Sequence, residues 1–457
     1  MTGRTEHDML GELRLPAERY YGIHTARAAA NFPLSGRPVA PELIQAIALV
    51  KKACCRANAE LGYLDAARAD AIAAACDEVR QGRFAAEFVT DALQGGAGTS
   101  TNMNVNEVVA NRALELLGRD KGDYGFLHPL DHVNLHQSTN DVYPTALKVA
   151  AILQFRKLSA KLAELQQTIQ RREREFAGIV KIGRTELQDA VPLTLGAEFA
   201  AFAEAFARDR WRTFKCEERL RTVNLGGTAV GTGIAAPRRY IFAVVDKLRE
   251  LSGLGLARAE NAVDQTANAD AFVEVSATLK ACAVNFIKVA RDLRTLHTLG
   301  EIRLAPVQAG SSLMPGKVNP VIPESLIQGG MAVIGHDALV AQCAASGSLQ
   351  INEFLPLLAD SLLTGLRLLD AMAGMLQSCV ERLAPDPARC RENFDRSPGI
   401  ITAFVPHLGY ERTLALLTEF QAQSALTLRD FLAVRLGAEL ADQVLSPENI
   451  AAPGFRD

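Results

Sequence analysis

Between Thr266 and Leu299 the chain contains neither glycine nor proline, so nothing in the backbone chemistry interrupts a helix there. Phe272, Val275, Leu279, Cys282, Phe286, Val289, Leu293 and Leu296 follow one another at spacings of three and four. That is the heptad seam of a helix packed lengthwise against others. Val284, Ile287 and Ala290 add a second apolar face, and a helix apolar on more than one side must be buried among several neighbours. Four more runs have the same character. Thr145 to Ala177 carries a seam at Leu158, Leu162, Leu165 and Ile169, with Arg171 to Arg174 bringing its end to solvent. Leu195 to Val223 sets Phe199, Phe202 and Phe206 on one face, and Pro320 to Ala345 and Leu355 to Leu383 complete the set.

Five long helices with little strand signal between them predict an all-α fold around a central bundle. Their spare apolar faces predict that bundles from several subunits pack into one helical core. The chain up to residue 140 has shorter helices and more turns, and from residue 391 short helices are separated by Pro and Gly. The expected organisation is therefore a mostly helical N-terminal domain (1–140), a central long-helix domain (141–390) and a small helical C-terminal domain (391–457).

Composition limits the function classes. With 457 residues, 48% hydrophobic and 22% charged, the chain can bury a large shared core. A net charge of -3 gives no general attraction to nucleic acid or anionic membrane. No apolar run is long enough to span a bilayer, and the N-terminus has no apolar core that could act as a signal peptide. The eight cysteines form no CxxC pair and no regular framework. They read as reduced thiols, and a cytoplasmic location is expected.

Four polar, glycine-punctuated segments break the apolar pattern: GGAGTSTNMN (95–104), HQSTNDVYP (136–144), GRTELQD (183–189) and GSSLMPGKVNP (310–320). One such segment alone reads as helix capping. Four of them, each beside a long helix, supply many uncharged donors and one lysine, which suits a substrate with two carboxylates. A C–H beside a carboxylate is a very weak acid, and removing its proton places a second negative charge on that carboxylate. Several fixed donors in a water-excluded site must hold the charge. Ser311 and Ser312 offer hydroxyls and amides. Lys317 offers a positive charge, and Gly310, Pro315 and Gly316 suit a loop that closes over substrate.

GSSLMPGKVNP resembles the signature of the aspartase/fumarase superfamily. The resemblance covers nearly the whole chain, from RTEHDMLGELRLPAERYYGIHTARAAANFP (4–33) to SPGIITAFVPHLGY (397–410). Within the superfamily GGAGTS, QSTND, YYGIHT and VIPE (321–324) are similar to the aspartases. The resemblance implies a three-domain lyase that forms a homotetramer, with each site built from segments of three subunits. It implies reversible deamination of L-aspartate to fumarate by anti elimination, without organic cofactor or metal.

It also implies roles for single residues. Ser311 matches the general base, and Thr99, Ser138, Thr139 and Ser312 match the donors to the β-carboxylate. Lys317 and Asn319 match the clamp on the α-carboxylate, with Thr185 nearby, and Asn140 matches a residue close to the amino group. Glu324 matches the acid that pairs with a histidine in many members.

That histidine is replaced by Glu186. Two carboxylates, Glu186 and Glu324, are then expected to face each other and share a proton. Three readings of Glu186 stay open: it contacts the substrate ammonium, it shifts the substrate to another amino acid, or it replaces a dispensable partner. A class II fumarase, a lyase for a related amino acid and an inactive helical scaffold are the rival functions.

Two further patterns point elsewhere and are set aside. His128, His132 and His136 have the spacing of helical metal ligands, but Pro129 interrupts them and no Cys or carboxylate pair completes a shell. Fumarases read HPND here and bind a second dicarboxylate nearby; Leu130 in place of the Asn removes the support for such a site. LGGTAVGTG (225–233) follows a helix and lacks the spacing of a phosphate cradle, so a turn between core helices is expected.

Overall fold

The structure, a computed structural model, describes residues 3–422 and 426–455. A hairpin opens the chain (β1, Gly3–Asp8; β2, Gly11–Pro16), followed by helices α1 (Ile23–Asn31), α2 (Pro41–Glu60), α3 (Ala66–Arg80) and α4 (Thr99–Leu116). The long helix α5 (Thr139–Glu175) leads into a second hairpin (β3, Val180–Thr185; β4, Gln188–Thr194). Then come α6 (Leu195–Leu220), α7 (Arg238–Ser252), α8 (Ala262–Ala267), α9 (Asp270–Thr298), α10 (Val321–Ala345) and α11 (Leu355–Arg382). Six shorter helices follow: α12 (Pro387–Arg396), α13 (Val405–Leu408), α14 (Tyr410–Ala422), α15 (Leu428–Leu436), α16 (Ala438–Val444) and α17 (Pro447–Ala451). Every sheet among the described residues has two strands, so the fold is all-α in its packing.

The five expected long helices are all present; the one expected to reach Val223 ends at Leu220, before a two-residue strand at Thr222–Val223, and two starts moved for identifiable reasons. The run from Thr266 is two helices. Asn268 adopts an extended conformation and ends α8, and its side-chain amide bonds back to Asp264 at 2.7 Å, an alternative that asparagine offers the backbone. The helix expected from Thr145 begins earlier, at Thr139, and runs through Pro144. Proline cannot donate to the carbonyl four residues back. That carbonyl, Asn140 O, receives the Asn224 side-chain amide instead, at 3.0 Å.

Contacts group the chain into two compact units. The first comprises Met1–Leu158, Arg212–Lys280 and Ala332–Leu368. In it α2 packs against α3 and α7, and α3 packs against α4. Ile47, Val50, Cys54, Ile72 and Val108 are fully buried there. The second comprises Ser159–Trp211, Ala281–Met331 and Leu369–Asp457. Phe199 stacks edge-on against Phe176, and Phe206 against Phe286, with ring centres 5.1 and 4.9 Å apart. A further cluster joins Val180 and Ile182 of β3 to Phe394, Ile400, Phe404, Phe431 and Leu432.

The seam of α9 is buried from Phe272 to Leu296. Its second apolar face is open at Val284, which is 51% exposed. All eight cysteines are buried, and none of them forms a disulfide among the described residues. Among the described residues no helix is long and apolar enough to cross a membrane.

Candidate active site

In the first unit, two of the four polar segments come together at the starts of α4 and α5. Gly98 precedes α4 with φ +92, and a Cβ on it would lie 2.3 Å from the Tyr143 ring. Only glycine suits this backbone conformation and this approach at once. Thr99, the first residue of α4, donates its hydroxyl to Gly96 O at 2.7 Å. It lines a cleft of about 860 Å³ together with His24, Arg27, Gly95, Gly96 and Glu107.

Ser138, Thr139 and Asn140 form the start of α5. Ser138 Oγ accepts the Asn140 amide at 3.2 Å, and Asp141 accepts the Ser138 amide at 3.0 Å, the reciprocal arrangement of a capping box. Asp141 is fully buried and also accepts the amides of Gly226 and Thr228, each at 3.0 Å. Burial pushes its pKa up to about 6 against the pull of those three amides, each of which favours the ionised form. The Gly-rich segment 225–233 is thus a turn clamped to α5, as expected. Asn140 donates its side-chain amide to Ala229 O of that turn at 2.7 Å.

In the second unit, residues 310–320 form a loop with a closed neck. The Gly310 amide donates to Lys317 O at 2.7 Å, and the Asn319 side chain donates to Gly310 O at 2.8 Å. A Cβ on Gly310 would meet Lys317 O at 2.7 Å and Asn319 N at 2.9 Å, which is why this end of the neck is glycine. Ser311 Oγ accepts the amides of Leu313 and Met314 at 3.1 and 2.8 Å. Two N–H groups aimed at one hydroxyl oxygen favour its deprotonated form. Ser312 and Lys317 are exposed, and Lys317 has no ion-pair partner among the described residues. Asn319 is half-buried at the neck, and Glu324 opens α10.

Thr185 and Glu186 lie at the end of the β3–β4 hairpin, where Thr185 pairs with Gln188. Glu186 and Leu187 form its apex with φ 52 and 63, a left-handed conformation usually given to Asn and Gly. Both are exposed. The hairpin is held by buried charge. Glu301, fully buried, binds Lys181 and Arg184, each at 2.8 Å, and receives the Asn393 side-chain amide at 3.1 Å. Lys181 also pairs with Glu198 at 2.6 Å. Within this chain the charge partner of Glu324 is Arg294 of α9, at 3.3 Å.

The three histidines are used in turns. His132 Nδ1 accepts the His128 amide at 2.8 Å, His128 Nδ1 caps Leu130 and Asp131, and His136 Nδ1 lies 2.7 Å from Asn58 Oδ1. The sequence reading missed the groups behind the start of α5: buried Lys51, Asn102, Asn106 and Asp141. Two signals were present. Lys51 sits inside the apolar run IQAIALVKKACC, and NMNVN places three asparagines in the interior of a helix.

Comparison with known proteins agrees with this geometry. The profile of a family described as lyase matches residues 11–335. An aspartate ammonia-lyase of Pseudomonas canavaninivorans is 45% identical, covering 98% of this chain and 97% of its own. One from Bacillus subtilis (strain 168) is 41% identical, covering 99% and 97%. Among solved structures, a cobalt-bound fumarate lyase:delta crystallin from Brucella melitensis superposes with a TM-score of 0.94 at 45% identity, covering 99% of this chain and 100% of that one. A class II fumarase from Schistosoma mansoni superposes with a TM-score of 0.91 at 31% identity, with the same coverage. With the lyase profile spanning most of its length and relatives matching end to end, the chain belongs to the lyase family that contains the aspartate ammonia-lyases and class II fumarases.

Proposed function

We infer that this chain is an ammonia-lyase that converts L-aspartate reversibly to fumarate and ammonia. The observation that carries the reading is the 310–320 loop, where a serine oxygen receiving two amides shares a pinched turn with an exposed lysine. In the proposed step Ser311 Oγ, as alkoxide, takes the proton from C3. The electron pair moves into the β-carboxylate as an aci-carboxylate, then returns to form the C2–C3 double bond as the C–N bond breaks on the opposite face. Thr99, Ser138, Thr139 and Ser312 donate to the β-carboxylate, Lys317 and Asn319 clamp the α-carboxylate with Thr185 nearby, and Asn140 lies near the departing amine. Glu324 is read as the acidic member of this set, held within the chain by Arg294. No redox change occurs, so the step needs no oxidant or reductant.

The segments that supply these groups belong, in this reading, to different subunits of a cytoplasmic homotetramer. Open apolar side chains on the long helices, Val284, Met331 and Phe214, support a multi-subunit helical core; they are 51%, 53% and 67% exposed.

Fumarate absorbance after adding L-aspartate or L-malate separately tests the reading. Fumarate is expected from aspartate; fumarate from malate alone would overturn it in favour of a hydratase. Glu186, presented at the hairpin apex, is read as a contact for the substrate ammonium. The Glu186→Gln variant is expected to raise the malate-to-aspartate turnover ratio by about tenfold, the worth of one hydrogen bond to a charged group. An unchanged ratio would leave Glu186 without a part in leaving-group choice.

A further inference from the structure

Behind the start of α5 lies a buried amide relay. Lys51 of α2 is 0% exposed, and its ammonium lies 3.2 Å from both Asn134 Oδ1 and Gln137 Oε1. Asn134 Oδ1 also receives the side-chain amides of Asn102 and Asn106, each at 3.2 Å. Asn102 Nδ2 donates in addition to Thr139 Oγ1, at 3.1 Å.

The direction of each bond follows from the first member. An ammonium only donates, so the atoms facing Lys51 must be the oxygens of Asn134 and Gln137. With Asn134 presenting oxygen, Asn102 must present nitrogen. Thr139 therefore accepts, and its own hydroxyl hydrogen is left over; among the described residues it donates to no group. An asparagine amide has no intrinsic orientation, and here the charge of Lys51 supplies one. Burial draws the Lys51 pKa down to about 8, with Cys54 on its own helix, Cys76 of α3 and Asp141 of α5 as the ionisable groups around it. All three of those groups favour the charged form.

We propose that Lys51 and Asn102 are positioning residues that polarise this relay and so make the Thr139 hydroxyl a donor to the substrate carboxylate. The proposal rests on the reading of Thr139 as a carboxylate ligand. A core that only needed filling would accept either polarity, whereas a relay couples Asn102 to Thr139 and to nothing else in the site.

The test is a double-mutant cycle on the assembled protein, with succinate, a non-reacting four-carbon dicarboxylate, titrated by calorimetry. Asn102→Leu removes the donor and Thr139→Val removes the hydroxyl, each with little change of volume. Thr139→Val is expected to weaken succinate binding by about tenfold and Asn102→Leu by about fivefold. The double variant is expected to bind no more weakly than Thr139→Val alone. Lys51→Met runs the same cycle from the other end of the relay and is used if Asn102→Leu does not assemble. Additive losses, or unchanged affinity in Asn102→Leu and Lys51→Met, would overturn the relay. Unchanged affinity in Thr139→Val would overturn it too. That last result would not touch the ammonia-lyase reading, which stands on turnover of aspartate by the unaltered protein.

Discussion

The Ser311→Ala variant is expected to form fumarate from L-aspartate about a thousandfold more slowly than the unaltered protein, with KM little changed. The expectation comes from what surrounds the hydroxyl. A serine is a base only as the alkoxide, and in water it is almost never in that form. The amides of Leu313 and Met314, at 3.1 and 2.8 Å from Oγ, are fixed donors that lower the cost of the charge, and Lys317 shares the loop. The same two contacts also cap a turn, and capping alone predicts a different outcome. Loss of a cap costs about 1 kcal/mol, which would loosen the loop and alter turnover by only several-fold. Steady-state assays therefore separate the roles by size. Activity retained within tenfold would remove Ser311 as the base and leave it as a cap.

The second large effect concerns stability. Glu301→Gln is expected to destabilise the second unit by about 3 kcal/mol, the lower end for breaking a buried charge cluster. Among the described residues, Lys181, 3% exposed at its side chain, keeps Glu198 as its ion-pair partner, and Arg184 keeps Asp189, at 3.2 Å. Hydrogen exchange should show the β3–β4 amides losing protection first, since that hairpin is what the cluster holds. Exchange rates unchanged at Val180–Thr194 would show that the cluster contributes nothing net.

Acidification gives the same result by another route. Burial by itself raises the Glu301 pKa, but Lys181, Arg184 and Asn393 outweigh it and hold it below the ordinary 4.5. A carboxyl depressed in the folded state stabilises above its unfolded value and loses that contribution as pH falls through the folded one. The unaltered protein should therefore lose stability below about pH 4.5 more steeply than the glutamine variant.

The long helices were legible because periodicity is a local property, and two of their starts moved where a side chain intervenes. Asn268 breaks a run free of glycine and proline, and Asn224 rescues a carbonyl that Pro144 leaves open. Neither event leaves a trace in spacing. The polar segments were legible as departures from apolar pattern. The Glu186–Leu187 apex was not, because left-handed pairs are normally recognised by Asn and Gly. The Lys181–Glu301 pair joins residues far apart in the sequence, and the Lys51 relay depends on three segments meeting in a core. Buried charge announces itself only once its partner is placed.

The neck of the 310–320 loop has a consequence for the entropy of binding. A flexible connection loses freedom when a ligand orders it, and the loss grows with the length set free. Here the bonds between Gly310, Lys317 and Asn319 have already fixed both ends. Only the tip between them, Ser311 to Gly316 with both serines, is left to adjust when a substrate arrives, and there Ser311 Oγ already holds two amides. The connection to α10 need not move for the tip to rearrange, so most of the conformational cost of capturing a substrate falls in the folding of the chain and not in each turnover.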